Sequence, residues 1–313
     1  MTGSRALAFF QRYQGLAGLA ILLLVALFLE RNFFVPDNLR NVFNQCAIPG
    51  VLAIGMTFVI LTGGIDLSVG SLLALLNCIV ATWGKSGAGL APTAAYVLVL
   101  GTLIGALVGT VVSVSRLQPF VVTLAAMVSL RGIAFVYTKN ANVSGVGDFL
   151  APFKESWLGM PMTSWVLFGL LALASLLLSK TVFGRRIYAI GGSESAAHLS
   201  GVPVAATRIG AYALNGLCVG VAALLLTART NNGQPGAALA YELDAIAAVV
   251  VGGSSLLGGY GNALGSVVGA LFIVSTDTLL NLRGVDDKIG LGLKGIILLL
   301  AVYVQNLGRR RGG

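Results

Sequence analysis

The chain reads as an all-α, polytopic transmembrane domain, and three observations carry that reading. Of its 313 residues, 57% are hydrophobic and 10% are charged, whereas soluble domains run about 45–50% apolar and about 25% charged. Mean hydropathy is +0.91, far too high for a disordered chain, which is poor in apolar residues. Apolar runs bounded by charge, Pro or Gly recur from end to end, and one bilayer crossing takes about 20 such residues. A water-soluble enzyme is excluded. The length accommodates about ten spans in one domain, 1–313, with no second globular unit.

The spans follow in order. The run 15–29 succeeds a basic N-terminus and resembles a secretory signal. It lacks a small-residue cleavage pattern and is followed by equally apolar sequence, so it is read as a retained first span. Further spans are expected near 42–62, 67–83, 92–115, 119–137, 162–179, 207–228, 243–257, 262–281 and 289–306. Ten spans place both termini on one side. Cytoplasmic loops carry the excess of Lys and Arg, and with the N-terminus inside, the inner side receives Arg5, Arg12, Arg116, Lys180, Arg185, Arg186, Arg208 and the tail Arg309, Arg310 and Arg311, against one acid, Glu194. Outer bases such as Arg40 and Lys154 have acids close by. The net charge of +9 is thus assigned to orientation. It forms no soluble basic face of the kind a nucleic-acid partner needs. Cys46, Cys78 and Cys218 lie in apolar stretches without metal-ligand spacing and read as small buried hydrophobes.

Internal repetition organises the spans further. GTLIGALVG at 101–109 resembles GSVVGALFI at 265–273, and Arg131-Gly132-Ile133 matches Lys294-Gly295-Ile296 at nearly the same offset. A shift of five spans, an odd number, would make the halves an inverted repeat. Chance recurrence of Gly-x-x-x-Gly, which mainly reports close helix packing, is the competing reading.

Intramembrane charges and polar groups mark candidate chemistry. Asp66, Arg131, Asp277 and Lys294 stand within or beside spans. Asp66 lies in Thr62-Gly63-Gly64-Ile65-Asp66-Leu67-Ser68-Val69-Gly70-Ser71, where glycine density permits a break at depth lining a substrate path. It is equally suited to accept the first backbone N–H groups of the next span. Arg131 and Lys294 are expected to snorkel or to pair with an acid or a helix C-terminus. Asn44, Gln45, Thr57, Asp66, Ser68 and Asn77 are the translocation-path candidates, since side chains of this kind can bond the hydroxyls of a polar solute. Interhelical hydrogen bonding is their alternative use.

The longest inner loop, 180–206, contains IYAIGGSESAAHLSGVPV. Ser193 can cap a short helix with Glu194 in its first turn, Ala196, Ala197 and Leu199 give it a small apolar face, and Gly201 ends it. Such a helix is either a docking surface or an amphipathic connector. His198 lacks a nucleophile or metal partner nearby. The sequence holds no Gly-x-x-x-x-Gly-Lys-Ser/Thr phosphate loop, His-Glu-x-x-His or Gly-x-Ser-x-Gly element, so ATP hydrolysis, membrane proteolysis and lipid hydrolysis are not expected of this chain.

The stretches GMTFVILTGGIDLSVGSLLAL (55–75), TLAAMVSLRGIAFVYT (123–138), FGRRIYAIGGSESAAHLSGVPV (183–204) and YELDAIAAVVVGGSSLLGGYGNALGSVVGALF (241–272) together resemble the membrane permease subunit of bacterial ABC importers for ribose and related monosaccharides. The resemblance implies a cobalamin-importer-like helical fold in the inner membrane. It also implies a second permease copy, a cytoplasmic ATPase holding the ATP and Mg, and a periplasmic sugar-binding protein; this chain itself needs no cofactor or metal. Gly191, Gly192, Glu194, Ala197, Leu199 and Gly201 match the family's coupling segment, which sits in a groove on the ATPase. Ser193 departs from the Asn found in many relatives but caps equally well. The competing class is a proton-coupled secondary transporter, with Asp66 or Asp277 carrying the proton.

Overall fold

The computed structural model describes residues 2–115 and 117–285, with 289, 290, 292, 295 and 296 beyond them. Helices follow one another as α1 (Thr2–Leu29), α2 (Pro36–Leu61), α3 (Val69–Lys85), α4 (Leu90–Val114), α5 (Pro119–Tyr137), α6 (Met162–Lys180), α7 (Val182–Gly192), α8 (Glu194–Leu199), α9 (Val204–Thr230), α10 (Tyr241–Val251) and α11 (Ala263–Leu282). Strand structure is confined to two-residue pieces. β1 (Val143–Ser144) pairs antiparallel with β4 (Asn232–Gly233), and β2 (Ser156–Trp157) with β3 (Met160–Pro161).

Among the described residues six helices are long and apolar enough to cross a bilayer: α2, α4, α5, α6, α9 and α11. The apolar part of α1 (Gly15–Leu29) and α3 are shorter, and α10 has 11 residues, about 16 Å of rise. Nine of the ten expected spans coincide with one of these helices. The tenth, 289–306, lies outside the described residues for most of its length, as do Arg116, Lys294 and the arginine tail.

Two helices form the centre. Both α2 and α9 are largely buried, and their neighbours are arranged alike. α11 and α10 pack on α2, as α4 and α3 pack on α9, and each outer pair, α3 with α4 and α10 with α11, also touches. Exchanging α2, α3 and α4 for α9, α10 and α11 therefore leaves this set of contacts unchanged. Glycine makes the approaches possible: Gly101, Gly105 and Gly109 of α4 lie against Tyr212 and Gly216 of α9, while Gly265 and Gly269 of α11 lie against Ala248 of α10 and Gly252, which caps it. At Gly101, Gly105, Gly265 and Gly269 a Cβ would overlap opposing backbone, so the two similar Gly-x-x-x-Gly stretches do the same packing job.

Two differences from the sequence reading have local causes. The connector after Lys180 is helical from Val182 because Thr181 caps it, accepting from the Gly184 N–H at 3.1 Å. The span expected at 243–257 ends at Val251, where Gly252 and Gly253 (φ 98°) turn the chain into the 252–262 loop.

Candidate functional site

At one end of the bundle three glycine pairs meet. α2 stops at Leu61, and Gly63 takes a left-handed turn (φ 79°). Gly258 and Gly259, also left-handed, press on Gly63 and Gly191 respectively, and the Gly259 N–H donates to the Leu61 carbonyl at 3.0 Å. A Cβ on Gly191 would strike the Leu61 carbonyl and the Gly259 nitrogen. The end of α7 is thus locked by backbone against both the 62–68 break and the 252–262 loop. Tyr188 adds a side-chain tie, its hydroxyl donating to the Gly261 carbonyl at 2.8 Å. Burial pushes that hydroxyl above its ordinary pKa, which keeps it a donor.

From this junction α8 projects. Ser193 caps it, accepting from the Ala196 N–H at 3.3 Å. Gly192 and Gly201, the latter at φ 77°, have no neighbour within 4 Å of a Cβ, so α8 is joined at both ends by unobstructed glycine. Ala197 is its buried residue and Leu199 is 87% exposed. Glu194 meets Arg208 of α9 at 2.6 Å, their side chains 58% and 14% exposed. Cavities of about 490 and 600 Å³ flank the pair. One is lined by Thr62, Gly63, Ser113 and Gly191, the other by His198, Val202 and Pro203, and both reach Glu194 and Arg208. All seven residues singled out in the coupling segment, Gly191, Gly192, Ser193, Glu194, Ala197, Leu199 and Gly201, lie in α8 or at its two ends.

The polar candidates fall into two groups. Asn44 accepts from Thr163 at 2.8 Å, tying α2 to α6, and Thr57 shares a 2.7 Å hydroxyl bond with Ser266 of α11; Gln45 is exposed on α2. Of the remaining three, Asp66 and Asn77 bond to α9 and Ser68 bonds to Asp66. Asp66, 3% exposed, accepts from the Ser68 N–H (2.9 Å), the Ser68 hydroxyl (2.6 Å) and Asn215 Nδ2 (2.8 Å). Its carboxylate therefore braces the turn into α3 and fastens it to α9. Thr123 of α5 donates to the adjacent Ile65 carbonyl at 3.2 Å.

Asn77, two turns along α3 from Gly70, holds the segment after α9. Its Nδ2 donates to Thr227 Oγ1 (2.8 Å) and the Asn232 carbonyl (3.1 Å), and its Oδ1 accepts from the Gln234 N–H (2.9 Å). Arg131 of α5 holds the same segment further on, its Nη1 donating to the carbonyls of Pro235 (2.9 Å) and Ala237 (2.6 Å). Sequence alone suggested snorkelling or an acid or helix end as its partner. Free loop carbonyls serve instead, since α9 ends at Thr230 and leaves this backbone without helical bonds. Sequence reasoning passed over Asn215, whose signal was a lone amide inside the apolar run 207–228, and read Arg208 only as an inner-side base.

The comparisons with known proteins agree with this architecture. Residues 38–302 match the family described as branched-chain amino acid transport system / permease component. The ribose import permease protein RbsC of Haemophilus influenzae is 39% identical, covering 94% of this chain and 93% of its own. Its namesake in Bacillus subtilis is 42% identical (92% and 90%). The xylose transport system permease protein XylH of Escherichia coli is 34% identical (94% and 91%). No solved structure matches the chain. With a helical bundle of bilayer length and a family match over most of its residues, the chain belongs to this family of transport permease components and is a transport subunit rather than an enzyme.

Proposed function

We propose that this chain is the membrane permease subunit of an ATP-driven importer that moves ribose or a related monosaccharide into the cytoplasm of a bacterium. The sugar class rests on the relatives named for ribose and xylose import. The mechanism rests on one observation: a six-residue helix, nearly all exposed, hung between free glycines and connected inward through Gly191 and Arg208. Energy enters there. α8 seats in a cytoplasmic ATPase that holds ATP and Mg, and its displacement passes to the 62–68 break through the glycine junction and to α9 through the Glu194–Arg208 pair.

In this reading the α8 end is cytoplasmic, both termini lie on that side, and ten spans cross the inner membrane in a cobalamin-importer-like arrangement. The exchange of α2–α4 for α9–α11 in the packing supports an inverted repeat. A second copy completes the passage, and a periplasmic binding protein delivers the sugar. The path candidates then form two groups, Asp66, Ser68 and Asn77 at and beyond the turn into α3, and Asn44, Gln45 and Thr57 along α2. Reconstituted with its ATPase and binding protein, the chain should take up labelled ribose only with ATP inside. Uptake that needs no ATPase and collapses with an uncoupler would instead establish a proton-coupled carrier.

A further inference from the structure

The segment between α9 and α10 carries backbone that its residues do not favour. Ala238 (φ 56°) and Ala240 (φ 65°) are both left-handed, a region that costs an alanine free energy because its Cβ crowds the carbonyl. Such conformations persist only where surrounding structure over-determines them, and they gather at ligand clamps and switch regions. Asn77 and Arg131 do the over-determining, with hydrogen bonds to positions 232, 234, 235 and 237. The segment runs inward along α3, from Asn77 to Gly70, where Glu242 and the Ala238 carbonyl lie so close that a Cβ has no room.

Two acceptors in this segment, Asn232 Oδ1 and Glu242 Oε2, are buried and make no hydrogen bond of standard geometry among the described residues, although the N–H groups of Ala240 and Glu242 lie near the Glu242 carboxyl. Nearby is a donor in excess: Arg131 uses Nη1 on the two carbonyls and makes no ion pair with Glu242 within 4.0 Å, although the two charges interact across the gap. Unmet acceptors call for hydroxyl or N–H hydrogens. Asn232 and Glu242 sit beside positions two turns apart on one face of α3, about 10 Å. A sugar ring with a hydrogen bond of about 2.8 Å at each end spans a comparable length.

We infer that residues 231–242 form a sugar-contacting element within the permease, in which Asn232 and Glu242 accept hydroxyl hydrogens, Arg131 donates, and Asn77 positions the backbone. This rests on the sugar-permease reading above. The test uses the complete complex in proteoliposomes, comparing initial uptake of labelled ribose and its mono-deoxy analogues by wild type, Glu242→Gln, Asn232→Ala and the acceptor-preserving Asn232→Asp, normalised to permease incorporated. Glu242→Gln and Asn232→Ala should each lower ribose uptake about tenfold, the loss expected for a hydrogen bond to a charged or buried partner. Asn232→Asp should retain most of it, and for one deoxy analogue the mutation should cost nothing further. Unchanged ribose uptake in both variants, or an equal fall for every sugar, overturns the site. A wild-type complex that moves none of these sugars overturns the substrate reading instead.

Discussion

At the residue scale, neighbouring glycines divide sharply by what surrounds them. Gly191 has no space for a methyl group, whereas Gly192 faces open space. Gly191→Ala should destabilise the purified protein by about 1–3 kcal/mol, the usual range for overpacking, and Gly192→Ala should change it by less than about 0.5 kcal/mol; thermal unfolding in detergent compares the two. Asn77 spends both ends of its amide on partners from α9 and the segment beyond it. Asn77→Ala leaves those groups unpaired at about 1–3 kcal/mol, and hydrogen exchange should rise at 232–237 while α4 stays protected. Side-chain partnerships of this kind were only half legible. Asp66 stood out as a carboxylate amid glycines, but its bond to Asn215 joins positions 149 residues apart, and no local pattern encodes that.

At the scale of elements, apolar runs located the six long apolar helices well because burial in lipid needs length and hydropathy, which composition reveals directly. The run 119–137 coincides with α5. Reading failed where a helix is amphipathic and short, as in α7, or where the chain reverses inside the bundle, as after Thr230. Element-level coupling is testable through Glu194 and Arg208. Because Glu194 is well exposed, its pair contributes about 0–1 kcal/mol to stability, so Glu194→Arg and Arg208→Glu should each leave the unfolding temperature nearly unchanged yet reduce uptake, and the double exchange should recover part of it. Leu199→Ser should weaken co-purification of the ATPase while sparing the fold, since that side chain packs on nothing in this chain; unchanged association would remove α8 from the docking role.

For the whole molecule, a passage that moves neutral sugars needs few charges at depth. Two of the charges inside the bundle hold backbone, Asp66 at the turn into α3 and Arg131 at the segment before α10. Reporter fusions after residue 200 and within 145–160 should reveal opposite sides, the first cytoplasmic. Vesicles containing this chain alone should equilibrate sugar at most, never concentrate it.

The junction of Gly63, Gly191 and Gly258 carries a consequence for recombination between relatives. Three stretches far apart along the chain meet backbone to backbone, and a Cβ on Gly191 or Gly258 would strike another of them. A chimaera that borrows the 180–206 loop from another permease must therefore inherit 60–66 and 252–262 from the same parent. Grafts that respect this trio should insert and assemble, and those that split it should be degraded.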